Sequence, residues 1–261
     1  MLFLTLHLWL TGILLLGPTT LIAMVGPVIV RRRVNLDKLT TNNEVAGFKF
    51  AVIGVLYAVL LAFAVIVVWE KFNDAEKYVA QEAGGAAALY RLSGGIGAEP
   101  GAALREATTN YLKAAITEDW PAMERGKASP GVTRALNDLY ANVLSFPAND
   151  RRETTLLAEI LHQLDRITQA RRDRLAMSSG IIPEVVWLGL FGGAALVIGF
   201  TFFFGTENLR AQSAMTGALS ILIFSGLLII IAIDYPLAGT VKVRPDALSR
   251  VIEDFGHAPA Q

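Results

Sequence analysis

GFKFAVIGVLYAVLLAFAVIVVW (residues 47–69) runs directly into EKFNDAEKYVAQEAGGAAALYRL (residues 70–92), and the junction between the two decides the fold. The first stretch carries a single charge, Lys49, close to its start. At about 1.5 Å per residue, a helix of that length crosses a hydrocarbon core of about 30 Å. The second stretch is charged, helix-prone and free of proline. One helix is therefore expected to leave the membrane at Trp69 and continue as a stalk into a water-facing domain.

Composition agrees with that division. Of 261 residues, 53% are hydrophobic and only 18% charged, which is too apolar for an ordinary soluble domain. Formal net charge is zero, so no basic field invites nucleic acid. Cysteine is absent, which removes disulfides, thiolate metal sites and cysteine nucleophiles together.

Toward the N-terminus, residues 2–30 form a first apolar run with two Gly-Pro steps, Gly17-Pro18 and Gly26-Pro27. No Lys or Arg precedes it, as a secretory signal would require. The run reads as a broken or kinked span with Pro18 and Pro27 as the kink positions, since proline removes a backbone donor. Arg31, Arg32 and Arg33 follow, then a polar loop to Ala46.

Toward the C-terminus, Ser93-Gly94-Gly95 ends the stalk. Residues 102–125 read as helix with an irregularity at Trp120-Pro121. Ser129-Pro130 supplies a cap and a first-turn proline for a helix to about Ser145. Asp150 and Glu153 have the spacing of a capping box, opening a long amphipathic helix to about Met177. Its apolar positions Leu156, Ile160, Leu164 and Ile167 recur at three and four, so one face is buried. Residues 182–205 and 213–233 are the third and fourth spans, and no strand pattern competes. The expected fold is all-α: four transmembrane helices with a helical extramembrane domain between the second and third. The expected divisions are 1–69 (two spans and their loop), 70–181 (helical domain), 182–233 (two spans) and 234–261 (polar tail, in which Asp246 is placed to cap a short helix).

Small residues mark helix contacts in lipid. Gly54, Ala58 and Ala62 share one face of the second span, and Gly189 and Gly193 form a GxxxG in the third. Spacing alone does not separate packing within a chain from packing between copies. Chemistry is sparse by comparison. His7, His162 and His257 lie on three different segments without metal-ligand spacing. No phosphate-binding glycine loop, nucleophile elbow or HExxH is present, so no catalytic residue, metal or cofactor is expected and the chain reads as a non-enzyme. The notable ionisable residues are Glu70, Glu184 and Asp234, each at the edge of a span on the same side. In a homo-oligomer they would form a charged ring; as single residues they are ordinary interfacial charges.

Several local patterns resemble a known family. They are the second span from Gly54 through Tyr57 and Phe63 to Trp69-Glu70, then Glu82-Ala83 on the stalk. Pro183-Glu184-Val-Val-Trp187 and Asp234-x-Pro236-x-x-Gly239 complete the set. Together these are similar to the bacterial bestrophin-like membrane proteins, over residues 47–251. The resemblance implies a homo-oligomeric anion channel with four spans and its helical domain in the cytoplasm. It also implies membrane lipid and inorganic ions as partners. The acidic calcium-binding run of true bestrophins has no counterpart here, since Asp234, Asp246, Glu253 and Asp254 are scattered. The arginine pattern points the other way on orientation: an uncharged start followed by three arginines puts the short loops inside and the helical domain on the outer, periplasmic face of the inner membrane. The functional alternative is a non-conducting, membrane-anchored sensing or interaction module.

Overall fold

The computed structural model describes residues 7–239 and 241–257, and every regular element among them is helical. In order these are α1 (Leu8–Arg33), α2 (Leu36–Thr40), α3 (Asn43–Leu92), a 3-10 turn (Ser93–Gly95), α4 (Ala98–Ala114), a π-helical turn (Ala115–Asp119), α5 (Trp120–Met123), α6 (Pro130–Leu144), α7 (Arg151–Ala176), α8 (Glu184–Thr201), α9 (Leu209–Ile233) and α10 (Asp246–His257). The chain divides into two compact units. One is built from residues up to Glu70 with Gly180–Asp234 and Gly239–Val241; the other from Lys71–Ser179, Tyr235–Ala238 and the chain from Lys242 on. The uninterrupted α3 supplies both, as the opening stretch predicts.

In the first unit α1, α3, α8 and α9 are long and apolar enough to cross a membrane. The protein is an all-α, polytopic membrane protein. Pro18 and Pro27 both lie inside α1, which stays one helix, so of the two expectations, a broken or a kinked span, the break is corrected. Each proline still leaves the carbonyl four residues earlier without its helical donor. Beside the first, the Thr19 hydroxyl bonds to Leu15 O at 2.6 Å. Glycines set how closely these helices approach. A Cβ on Gly193 would fall 2.5 Å from the Tyr57 ring, and one on Gly217 2.8 Å from Met24. Gly26 faces the Phe202 ring in the same way. At the short-loop end, the Asn43 side chain donates to Gly205 O at 2.7 Å and accepts from Gly205 N at 3.0 Å, tying the start of α3 to the α8–α9 turn.

The second unit is a helical bundle with a continuous apolar core. The stalk half of α3 contributes Ala75, Val79, Ala83, Ala86 and Leu89, all buried. These side chains are small, and a Cβ on Gly85 would sit 2.9 Å from Ile167 Cγ1, so α7 lies close against the stalk. Ile160, Leu164 and Ile167 of α7 are buried, as their spacing predicts. Both expected caps form: Ser129 Oγ accepts from Gly131 N and Val132 N, and Asp150 Oδ1 accepts from Glu153 N at 2.7 Å. The Glu153 carboxylate reaches Asn149 N, one residue before the cap. The irregularity expected at Trp120-Pro121 falls just ahead of it, in the π-helical turn. The segment read as a polar tail contains α10, whose Ala247, Val251, Ile252 and Phe255 pack against this core.

Candidate functional site

Two places gather charged groups, one in each unit. At the membrane border, α3 leaves its span at Glu70, α8 opens at Glu184 and α9 closes before Asp234. Glu70 and Glu184 are exposed. Glu184 stands in the first turn of α8, where the positive end of the helix dipole favours a carboxylate. Asp234 behaves differently. It is buried, and its Oδ1 accepts hydrogen bonds from Ile181 N (3.1 Å) and Ile182 N (2.8 Å). Burial pushes its carboxyl above the usual range, and the two amide bonds act against that rise. Its carboxylate therefore holds the end of α9 to the approach into α8, leaving Glu70 and Glu184 as the open charges.

The small-residue stripes separate as well. Gly193 receives the Tyr57 ring and Gly189 lies beside Leu60, so the GxxxG of α8 serves contact with α3 of the same chain. On α3 the inward stripe is Tyr57, Ala64 and Val68, all buried. Ala58 and Ala62 are exposed, and Gly54 has nothing near its Cβ position. Around them Val55, Val59, Phe63 and Ile66 are exposed too.

In the helical unit, Glu82 sits on the α3 stripe where its neighbours are alanine, valine and leucine. Arg171 and Arg174 continue the α7 stripe beyond Ile167, and all three are buried. Arg174 makes a two-pronged pair with Glu82, Nε to Oε2 at 2.6 Å and Nη2 to Oε1 at 2.9 Å. Its Nη2 also reaches Asp119 Oδ2 at 3.3 Å, and its guanidinium lies 4.5 Å above the Trp120 ring. Arg171 pairs with the same Asp119 through Nε (2.8 Å) and Nη2 (3.1 Å). Ser129 N donates to Asp119 Oδ1 at 2.9 Å, and Tyr111 OH donates to Glu82 Oε1 at 2.6 Å. Burial and the adjacent Glu82 carboxylate hold the Tyr111 phenol well above its ordinary range. Burial alone would lower the Arg174 guanidinium, but Glu82 more than reverses this and keeps it charged.

Two acids and two arginines cancel in charge, and all four carboxylate oxygens are engaged. Nothing is left to bind or activate a substrate, so the network is a scaffold. In the sequence Glu82 stands out only within the family resemblance, and Arg171 and Arg174 do not stand out as a site at all. The signal was present: charged residues standing at apolar positions of two helical stripes. Among the described residues no group of three His, Asp or Glu gathers to hold a metal. His162 is exposed, and the side chain of His257 lies outside the described residues.

The model of the Bestrophin-like domain matches residues 17–248. This chain belongs to the bestrophin-like family. Solved structures carry the same fold. A bacterial bestrophin homologue from Klebsiella pneumoniae, solved as a point mutant, superposes with a TM-score of 0.70 at 14% identity, covering 93% of this chain and 98% of that one. Another structure of a Klebsiella pneumoniae bestrophin homologue gives 0.67 at 14% identity, covering 90% and 94%. No protein of the curated set matches the chain in sequence. The family and the shared fold agree with the four-span helical architecture of a bestrophin-like membrane protein.

Proposed function

We propose that this bestrophin-like protein is an ion channel assembled from several copies of the chain, conducting anions across the cell membrane. The observation that carries the reading is the outward stripe of α3. Its opposite face is filled by its own chain, yet Ala58 and Ala62 stand open beside Gly54 in the small-residue pattern that helices use to approach one another in lipid. A four-span chain is small for enclosing a pore, so assembly about a symmetry axis is the natural route. Family membership supports the same conclusion.

Glu70 and Glu184 belong at the mouth of this assembly, where acidic rings attract cations and repel anions. Neutralising both to glutamine therefore raises chloride flux relative to potassium. The direct test is flux from proteoliposomes loaded with chloride or with potassium. Flux equal to that of empty vesicles removes the channel and favours the membrane-anchored sensing module. A strict monomer in detergent removes it as well. The short arginine-bearing loop supports an orientation with the helical unit on the outer face. Cysteines introduced at the exposed Lys127 and Asn35 test this, with impermeant reagent labelling Lys127→Cys in intact cells and leaving Asn35→Cys untouched.

A further inference from the structure

Leu21, Ile22, Val25 and Ile29 recur along α1 at spacings of three and four, so they share one face of the helix. All four are exposed. With Val30 and Phe202 they line an open groove of about 420 Å³ whose lining residues are all apolar. Gly26 shapes it. The Phe202 ring, just past the end of α8, takes the space that a Cβ on Gly26 would need, so the ring stands against bare backbone as one wall of the groove. From Leu21 to Ile29 the helix rises about 12 Å. That is most of the hydrocarbon depth of one leaflet, about 15 Å in a core of about 30 Å.

Beyond Ile29 the same face turns charged. Arg32 and Arg33 follow it at three and four residues, while Arg31 falls on the opposite side of the helix. Arg32 and Arg33 are exposed, and among the described residues neither has a salt bridge. The face therefore runs from an apolar channel to two open guanidinium groups at the short-loop border. A phospholipid carries its parts in the same order, acyl chain and then phosphate, and a guanidinium matches phosphate oxygens in pairs. A helix from a second copy fits less well. The one small residue in the groove is already filled by Phe202, and large branched side chains on either side hold another backbone away, unlike the open Ala58–Ala62 face.

We infer that α1 and Phe202 hold an anionic phospholipid from the leaflet at the short-loop border, with one acyl chain in the groove and the phosphate on Arg32 and Arg33. A zwitterionic lipid brings an ammonium group that cancels the attraction, so net headgroup charge decides the preference. The site is built within one chain and is independent of whether the assembly conducts.

The test is thermal unfolding of the detergent-solubilised protein titrated with phosphatidylglycerol or with phosphatidylcholine of the same acyl chains. The melting temperature should rise saturably with phosphatidylglycerol, and half-saturation by phosphatidylcholine should need about tenfold more lipid. Loss of the charge-assisted bonds in Arg32→Gln with Arg33→Gln should weaken phosphatidylglycerol by about tenfold or more. Removing the same charge at other exposed positions of this border, in Lys38→Gln with Arg210→Gln, should leave the curve unchanged. Val25→Trp fills the groove from an exposed position and should weaken both lipids, which keeps the test open if the double arginine variant fails to fold. Equal response to the two lipids, equal weakening in the Lys38 and Arg210 variant, or the same stabilisation by glycerol phosphate without acyl chains would each overturn the site. So would a Val25→Trp variant that alters the mass of the assembly and leaves the lipid curve intact, because a second copy would then occupy the groove.

Discussion

In the water-facing unit, Glu82, Asp119, Arg171 and Arg174 answer one another at distances of 2.6–3.3 Å, and Tyr111 and Ser129 close what remains. In the membrane unit the buried side-chain polarity is mostly hydroxyls, with Gln212 and Asp234 beside them, and several of the hydroxyls have no partner. Its helices meet instead through glycines that admit a ring or a methionine from the neighbouring helix. The difference follows from the two solvents. Water drives apolar side chains together and tolerates a charge inside only when the charge is fully paired. Lipid gives apolar surfaces no reason to leave it, so helices associate by shape. One unit specifies its packing by charge pairing, the other by the absence of side chains.

The sharpest way to break this comparison is to open the charge network. Arg174→Met leaves Glu82 buried without its counter-ion, and the expected loss is about 3–5 kcal/mol. The double variant Arg174→Met with Glu82→Gln should recover more than half of it, since a neutral amide costs far less to bury than a lone carboxylate. Melting temperatures of the two proteins in detergent decide the matter. A single variant as stable as the parent would mean that the arginine contributes no specific pairing.

The second test contrasts two stripes within the membrane unit. Gly193→Ala forces a methyl into the Tyr57 ring, and overpacking of that kind costs about 1–3 kcal/mol. Pairing it with Tyr57→Ala should return part of the loss. Ala62→Leu adds greater bulk to an exposed position, so it should leave the unfolding temperature nearly unchanged and alter the mass of the assembly measured by light scattering. If Ala62→Leu destabilises the fold and leaves the oligomer intact, the outward stripe is not a contact between copies.

These contrasts also explain which features were legible from residues alone. The α3 junction, the four spans and the Ser129 and Asp150 caps are local, each written in a few neighbouring residues. The network joins Glu82 to Arg174 across 92 positions, and no local rule pairs them. What local rules offered was the anomaly: an acid in the stripe of Ala75, Val79, Ala86 and Leu89, and arginines following Leu164 and Ile167. The small-residue motifs gave a face without a partner, so spacing did not distinguish Gly193, which is filled from within, from Ala58, which is open. In the same way the short helix that Asp246 could open was legible in the tail, but not that Ala247, Leu248, Val251, Ile252 and Phe255 pack it into the core. The unanswered hydroxyls of α1 and α9 were beyond reach, because only packing reveals whether a serine finds an acceptor.

The smallest effect lies at Asp234, which has features of both interiors: a buried carboxyl held by two backbone amides of its own membrane unit. Burial raises its pKa above the ordinary carboxylate value, so the folded chain takes up this proton at a higher pH than the unfolded chain does. The stability linked to that uptake is fully present below the unfolded value, about 3.9, and is lost as pH rises through the folded one. Above that window the ionised carboxylate is a net cost that its two amide bonds only partly offset. Asp234→Asn keeps an oxygen to accept from Ile181 and Ile182 while removing the charge. The variant should therefore match or exceed the parent at neutral pH, within about 1 kcal/mol, and its advantage should vanish as pH falls toward 4. A variant that is less stable at pH 7 and equal at pH 4 would reverse the sign. It would show that the amides, not burial, set the protonation of this carboxylate, and that charge pairing governs the membrane unit at this one position too.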